Sequence, residues 1–266
     1  MFACCPRSLL SAPLHLRVLA ACVILASITT VRPQQKILLI AAEDDAAPWS
    51  RADGTGYAND VVTAAFKAAG VDVSLRVMPY ARCKRMVTNG DIPGCLSMSP
   101  AAEFKGVIEL SARPLFTCYA GYFYRAEKPL NLKRERDIPR GTVIGTVIGY
   151  EYPPSFEALR RSGAVVIEES PSEDLNLRKL ALGRIDLALL TYNEVKTPDW
   201  LIEKAGVGGK VKVGFVSGVL NSYIGFNTKN PEGLKALTQF NAGYHLITIN
   251  GTLRNIKRTW LQRLKT

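Results

Sequence analysis

Residues 53–100, DGTGYANDVVTAAFKAAGVDVSLRVMPYARCKRMVTNGDIPGCLSMSP, alternate helix and strand signals at close spacing. Within this stretch, residues 58–69 place Val61, Val62, Ala65, Phe66 and Ala69 on one helical face, and Gly70 ends the helix. Residues 71–77 alternate at the two-residue period of a strand. Pro79 opens a second helix, where its missing N–H is not needed, and Asn89-Gly90 closes it. Residues 94–98 form the next strand. Upstream, residues 36–42 (KILLIAA) are a short apolar run suited to a buried parallel strand, followed by a loop broken by Pro48, Gly54 and Gly56. The sum is a β-α-β-α-β unit, which demands a parallel sheet with right-handed crossovers.

The middle of the chain repeats that grammar. Strands are expected at 142–148, 164–168 and 185–190, and helices at 154–162 and 172–182, the latter stopped by Gly183. A further strand is expected at 222–227, and residues 231–266 read as helical with a break at Asn250-Gly251. At 266 residues the chain exceeds the usual single-domain size. Two α/β units separated by residues 114–121, with a helical tail left over, fit two lobes joined by two crossings.

Residues 1–33 carry Arg7, Arg17 and Arg32 and no acid, with an apolar run at 18–31. That run is shorter than the roughly 20 residues a membrane-crossing helix needs, so 1–33 reads as a cleaved export signal peptide and the mature chain as periplasmic. LAAC at 19–22 has the letters of a lipoprotein cleavage box, but the apolar run continues past it. Without Arg7, Arg17 and Arg32 the chain keeps 31 basic residues against 23 acidic ones, about +8. The basic clusters at 133–140 and 254–265 are interleaved with acids or helically spaced apolar residues, so solvated helix faces are expected and no nucleic acid partner. Of the three cysteines after the leader, Cys83 shares a helix face with Met86 and Val87, and Cys95 begins the strand beneath it. Cys83–Cys95 is the expected disulfide, two buried thiols the alternative, and Cys118 is left over.

The order of elements in 53–100, with the tail NPEGLKALTQFNAGYHLITINGTLRNIKRTW, resembles the family 3 periplasmic solute-binding proteins, whose best-known members bind amino acids for ABC importers. The resemblance implies a two-lobed periplasmic-binding-protein-like α/β fold, each lobe a mostly parallel sheet flanked by helices. Residues 34–118 and 223–266 would form lobe 1 and 119–222 lobe 2, with a hinge near 116–121 and 220–223. It also implies a monomer that hands a small-molecule solute to an ABC permease or a membrane sensor, with neither cofactor nor metal.

Strand C-termini facing a cleft supply the binding loops in such sheets. The candidates are Glu43 after the first strand, Trp49 in its loop, Tyr80 and Arg82 at the Pro79 helix opening, and Ser97 and Ser99 at the third strand. The second lobe offers Gly149, Tyr150 and Glu151, and Thr191. Against each stands a plainer role: rim aromatics, turn-capping serines, a solvated patch at Glu43-Asp44-Asp45, a surface arginine. Two departures from the family pattern matter. Phe104 occupies the place of the arginine that grips an amino acid's carboxylate, and Thr191 that of the aspartate that takes its ammonium. A standard α-amino acid is therefore disfavoured, and a neutral, sugar-like or aromatic solute, or an anion held by Arg82, is expected instead. Catalysis finds little support. His245 is the only histidine beyond the leader, which removes Ser-His and Cys-His pairs. A prephenate-type dehydratase using Glu173 or Glu43 as general acid is the remaining enzymatic reading.

Overall fold

The computed structural model describes residues 37–129 and 132–263, so the expected signal peptide lies outside the described residues. The chain runs β1 (Leu38–Glu43), β2 (Asp45–Ala46), β3 (Ser50–Arg51), α1 (Tyr57–Ala68), β4 (Val73–Met78), α2 (Tyr80–Asn89), β5 (Gly94–Met98), β6 (Ile108–Leu110) and β7 (Phe116–Arg125). It continues through β8 (Val143–Val147), α3 (Pro154–Arg161), β9 (Val166–Ser170), α4 (Glu173–Ala181), β10 (Leu187–Tyr192), α5 (Pro198–Lys204), β11 (Val211–Asn227), α6 (Gly233–Ile249) and α7 (Thr252–Arg263).

The opening β-α-β-α-β unit forms as its sequence requires. β1 pairs in parallel with β4 on one side and β5 on the other. The second unit repeats this, with β8 parallel to both β9 and β10. This is the two-lobed α/β architecture expected from the resemblance, and the strand order β4-β1-β5-β11-β7-β10-β8-β9 shows how the lobes join. Residues 223–227 of β11 pair with β5 and β6, while its residues 211–222 pair with β7. One strand thus belongs to both sheets.

β7 and the first half of β11 were not expected as strands; residues 116–121 and 220–222, where the crossings were expected, lie in two neighbouring antiparallel strands, with Leu220 opposite Cys118 and Ser222 opposite Phe116. Two register shifts, between Val213 and Val216 and between Val216 and Gly218, erase the two-residue alternation that would have announced β11. α5 was also missed. Its seven residues, capped by Thr197 and opened by Pro198, are too few to display a helical period.

The tail packs on the opening β-α-β-α-β unit. Gly243 of α6 is pressed on α1 so closely that a Cβ there would lie 1.8 Å from the Ala65 carbonyl oxygen. Phe240 packs on both Phe66 and Phe226. The Trp260 indole N–H donates to Asp60 at 2.8 Å, fastening α7 to α1. Cys83 and Cys95 are disulfide-bonded, tying α2 to β5. Among the described residues no helix is long and apolar enough to cross a membrane.

Candidate functional site

A cavity lies where the C-terminal ends of β1, β5 and β10 face one another beside the paired β7 and β11. Glu43, Trp49, Tyr80, Ser97, Ser99, Tyr150, Glu151 and Thr191 line it, together with Ala46, Phe116, Cys118, Leu220 and Ser222. Its volume is about 40 Å³, room for a few waters. The cleft expected from the sequence is closed here by side chains that reach across it.

Two hydrogen bonds make the crossing. The Tyr150 hydroxyl donates to the Glu43 carboxylate, and the Tyr80 hydroxyl donates to Glu151 Oε2 at 2.7 Å. Glu151 Oε2 also accepts from the Ser99 backbone N–H at 3.0 Å, and Lys84 Nζ reaches Glu151 Oε1 at 3.1 Å and Glu103 at 3.0 Å. The Tyr80 and Tyr150 rings meet edge to face, 5.4 Å apart. Gly149 makes the approach possible: it sits at φ +84°, and a Cβ there would lie 3.0 Å from the Cβ of Ala81 in α2.

Under the cavity sits an ion pair that the sequence reading missed. Glu173, the first residue of α4, follows Ser172, whose hydroxyl caps the helix by accepting from Leu175 N–H at 3.2 Å. Its Oε1 accepts from Thr191 N–H at 2.8 Å and from the Thr191 hydroxyl at 3.0 Å, while Oε2 takes Lys196 Nζ. A turn after β10 delivers that lysine: Asn193 Oδ1 accepts from the N–H groups of Val195 (2.9 Å) and Lys196 (3.0 Å). Lys196 is fully buried, with its ammonium 4.3 Å from the Trp49 ring centroid. Trp49 in turn stacks on Phe116 at 4.2 Å. No local signal marks Lys196, because a lysine after a strand ordinarily faces water.

Glu43 is the charge left without a bonded cation. It is 4% exposed, and among the described residues no lysine or arginine forms an ion pair with it. Burial pushes its carboxyl up to about 8, against the opposing pull of Tyr150 and Lys196. Burial also raises Glu151, though Lys84, Tyr80 and the Ser99 N–H act the other way. The Cys118 thiol is pushed up to about 12 by the same desolvation.

Three polar atoms on the cavity wall are buried without a partner: Trp49 Nε1, Ser97 Oγ and Ser222 Oγ. Ser97 also holds a left-handed backbone, φ 66°, which costs a residue with a Cβ about 1 kcal/mol or more.

The structure thus brings Glu43, Trp49, Tyr80, Ser97, Ser99, Tyr150 and Thr191 onto one cavity. Three other candidates fall elsewhere. Arg82 is exposed on α2 and does not line the cavity. Phe104 is buried in the neighbouring apolar cluster with Tyr80 and Met98, and Lys84 lies over its ring at 5.8 Å. Gly149 acts through close approach to Ala81. Two carboxyls, Glu43 and Glu151, line the cavity, and the Glu173–Lys196 pair lies beneath it. Among the described residues no group of His, Cys, Asp or Glu is arranged to hold a metal ion.

No family model matches this chain, and no curated protein matches it. Solved structures do. A histidine kinase sensor domain with similarity to periplasmic binding proteins superposes with a TM-score of 0.71 at 17% identity, over 86% of this chain and 98% of that one. An ancestral arginine-binding protein bound to arginine gives 0.70 at 19%, over 84% and 97%. The GluR0 ligand-binding core from Nostoc punctiforme, in complex with L-glutamate, gives 0.67 at 17%, over 84% and 98%. The chain therefore has the periplasmic-binding-protein fold.

Proposed function

We propose that this protein is a periplasmic solute-binding protein that captures one small polar or aromatic solute between its lobes and is not an enzyme. Lobe 1 would comprise residues 34–118 and 223–266, and lobe 2 residues 119–222. The observation that carries the reading is the cavity itself: residues 43–99 supply one wall, residues 149–191 the other, and polar atoms without partners face a space too small for anything but water. A clamp of this kind closes because the solute binds the closed state better than the open one. Tyr150 and Tyr80 would give up their cross-cleft bonds as the solute takes their place.

Delivery to an ABC importer is the primary reading. A sensing role is the second, favoured by the likeness to a histidine kinase sensor domain at 98% coverage of that domain. A prephenate-type dehydratase is disfavoured, because Glu173 is committed to Lys196 and Thr191, and beside Glu43 no lysine or arginine lines the cavity to take such a substrate's carboxylates.

The test is a thermal-shift screen of the mature protein against sugars, amines, amino acids and aromatic acids, since a ligand specific to the folded state raises the melting point by mass action. A stabilising compound whose effect disappears in Trp49→Ala supports the reading. A compound whose effect survives Trp49→Ala and Tyr150→Phe binds elsewhere and defeats it.

A further inference from the structure

We infer that the solute is an organic ammonium ion bearing a neutral oxygen function rather than a carboxylate, with Glu43 as its counter-charge; this rests on the cleft being a solute site. The cavity wall contains two carboxylates, Glu43 and Glu151, and neither lysine nor arginine. The cations nearest to it are already spent: Lys196 on Glu173, and Lys84 on Glu151 and Glu103. A carboxylate entering the cleft would find no cation, only neutral donors, and would lie beside the Glu151 carboxylate, an unfavourable arrangement in a desolvated site. An ammonium meets the opposite situation. Glu43's carboxyl holds only the Tyr150 hydroxyl, and the aromatic residues Tyr80 and Tyr150 line the cavity beside it, a setting that suits a cation. Trp49 already accepts one such charge, from Lys196.

The buried atoms without partners specify the other end of the solute. Trp49 Nε1 can only donate, so it needs an acceptor, and the Ser97 and Ser222 hydroxyls can serve a group that both donates and accepts. A hydroxyl or ether oxygen meets these demands without adding charge.

Entry of the cation is coupled to a proton. Glu43 faces Tyr150, Lys196, Glu173 and Asp45, and burial in the closed form described here holds its proton to about pH 8. Pairing with an ammonium requires the carboxylate, so the proton leaves to the buffer as the Tyr150 hydroxyl swings away. Apparent affinity should rise about tenfold per pH unit between pH 6 and 7.5 and level off above 8.

The experiment uses shape-matched probes on the mature protein: ethanolamine and choline, their uncharged counterparts propan-1-ol and 3,3-dimethylbutan-1-ol, and the carboxylates glycine and glycine betaine. Thermal shift and titration calorimetry at pH 6, 7 and 8 should show at least one amine binding tenfold or more tightly than its uncharged and carboxylate counterparts, with proton release, and Glu43→Gln should abolish that binding without lowering the melting point. Failure of both amines, or equal binding by an uncharged or carboxylate counterpart, overturns the inference. The clamp reading survives that failure if a sugar or aromatic acid binds in a manner dependent on Trp49, and falls if nothing binds in such a manner.

Discussion

The hydroxyl of Tyr150 donates a hydrogen bond to the carboxyl of Glu43 from the opposite side of the cleft. These two residues lie 107 positions apart in the chain, and their bond is one of the few polar ties between the ends of β1 and β8. It also stands where a solute would have to be. The same contact spans the cleft and holds a buried carboxyl in place.

The protonation of Glu43 makes stability depend on pH. The folded protein keeps this proton to about pH 8, while the unfolded chain loses it near 4.5. Between those values the folded state binds more protons, so stability that is fully present at pH 4.5 is lost as pH rises, at up to about 1.4 kcal/mol per unit. Glu151 and Asp45 are raised as well and act in the same sense. Urea unfolding from pH 5 to 8 should show a declining stability, and Glu43→Gln should flatten the decline.

Lys196→Met should be severely destabilising. It leaves the Glu173 carboxylate buried without its cation, a loss of about 3 to 5 kcal/mol. The double substitution Lys196→Met with Glu173→Gln removes both charges while retaining an acceptor for Thr191, and should recover at least half of that loss in the same unfolding measurement.

Gly149→Ala should hinder closure. Its Cβ would press on Ala81 across the cleft, and its left-handed backbone disfavours any side chain. The expected outcome is a solute affinity reduced tenfold or more, with the fold retained by circular dichroism.

Removing the Cys83–Cys95 disulfide should cost about 3 kcal/mol, the loop-closure value for a separation of this length. The loss should appear equally in Cys83→Ala with Cys95→Ala and in the reduced wild-type chain, because both remove the same tie between α2 and β5.

Arginine, glutamine and histidine at millimolar concentration should leave the melting point unchanged. Arg82 is exposed and outside the cavity, and Phe104 supplies no charge, so nothing on the wall answers an amino acid's carboxylate.

Much of this was legible in the sequence because it is written in local patterns. The apolar face of α1, the Pro79 opening of α2 and the Gly90 left-handed cap at φ 84° each act within a few residues of themselves. The break between α6 and α7 at Asn250-Gly251 is of the same kind. The first half of β11 escaped because two register shifts interrupt its alternation, and β7 and β11 each pair with a strand about a hundred residues away. Among the site residues, those at strand ends were accessible by topology: Glu43, Tyr80, Ser99, Tyr150 and Thr191. Lys196 was not, since its burial depends on Asn193 folding the chain back under Trp49 and on Glu173 arriving from another helix. Arg82 was misplaced for a similar reason. Its helix opens toward the cleft, but its position one-third of a turn from Cys83 points it to solvent, where it is exposed.

Hydrogen exchange of backbone amides, read by mass spectrometry with and without a stabilising solute, tests the clamp most directly. Protection should rise together in peptides containing Glu43–Trp49, Tyr80, Ser97–Ser99, Tyr150 and Thr191. Protection confined to one of the two walls, or located away from the cavity, would contradict capture between the lobes.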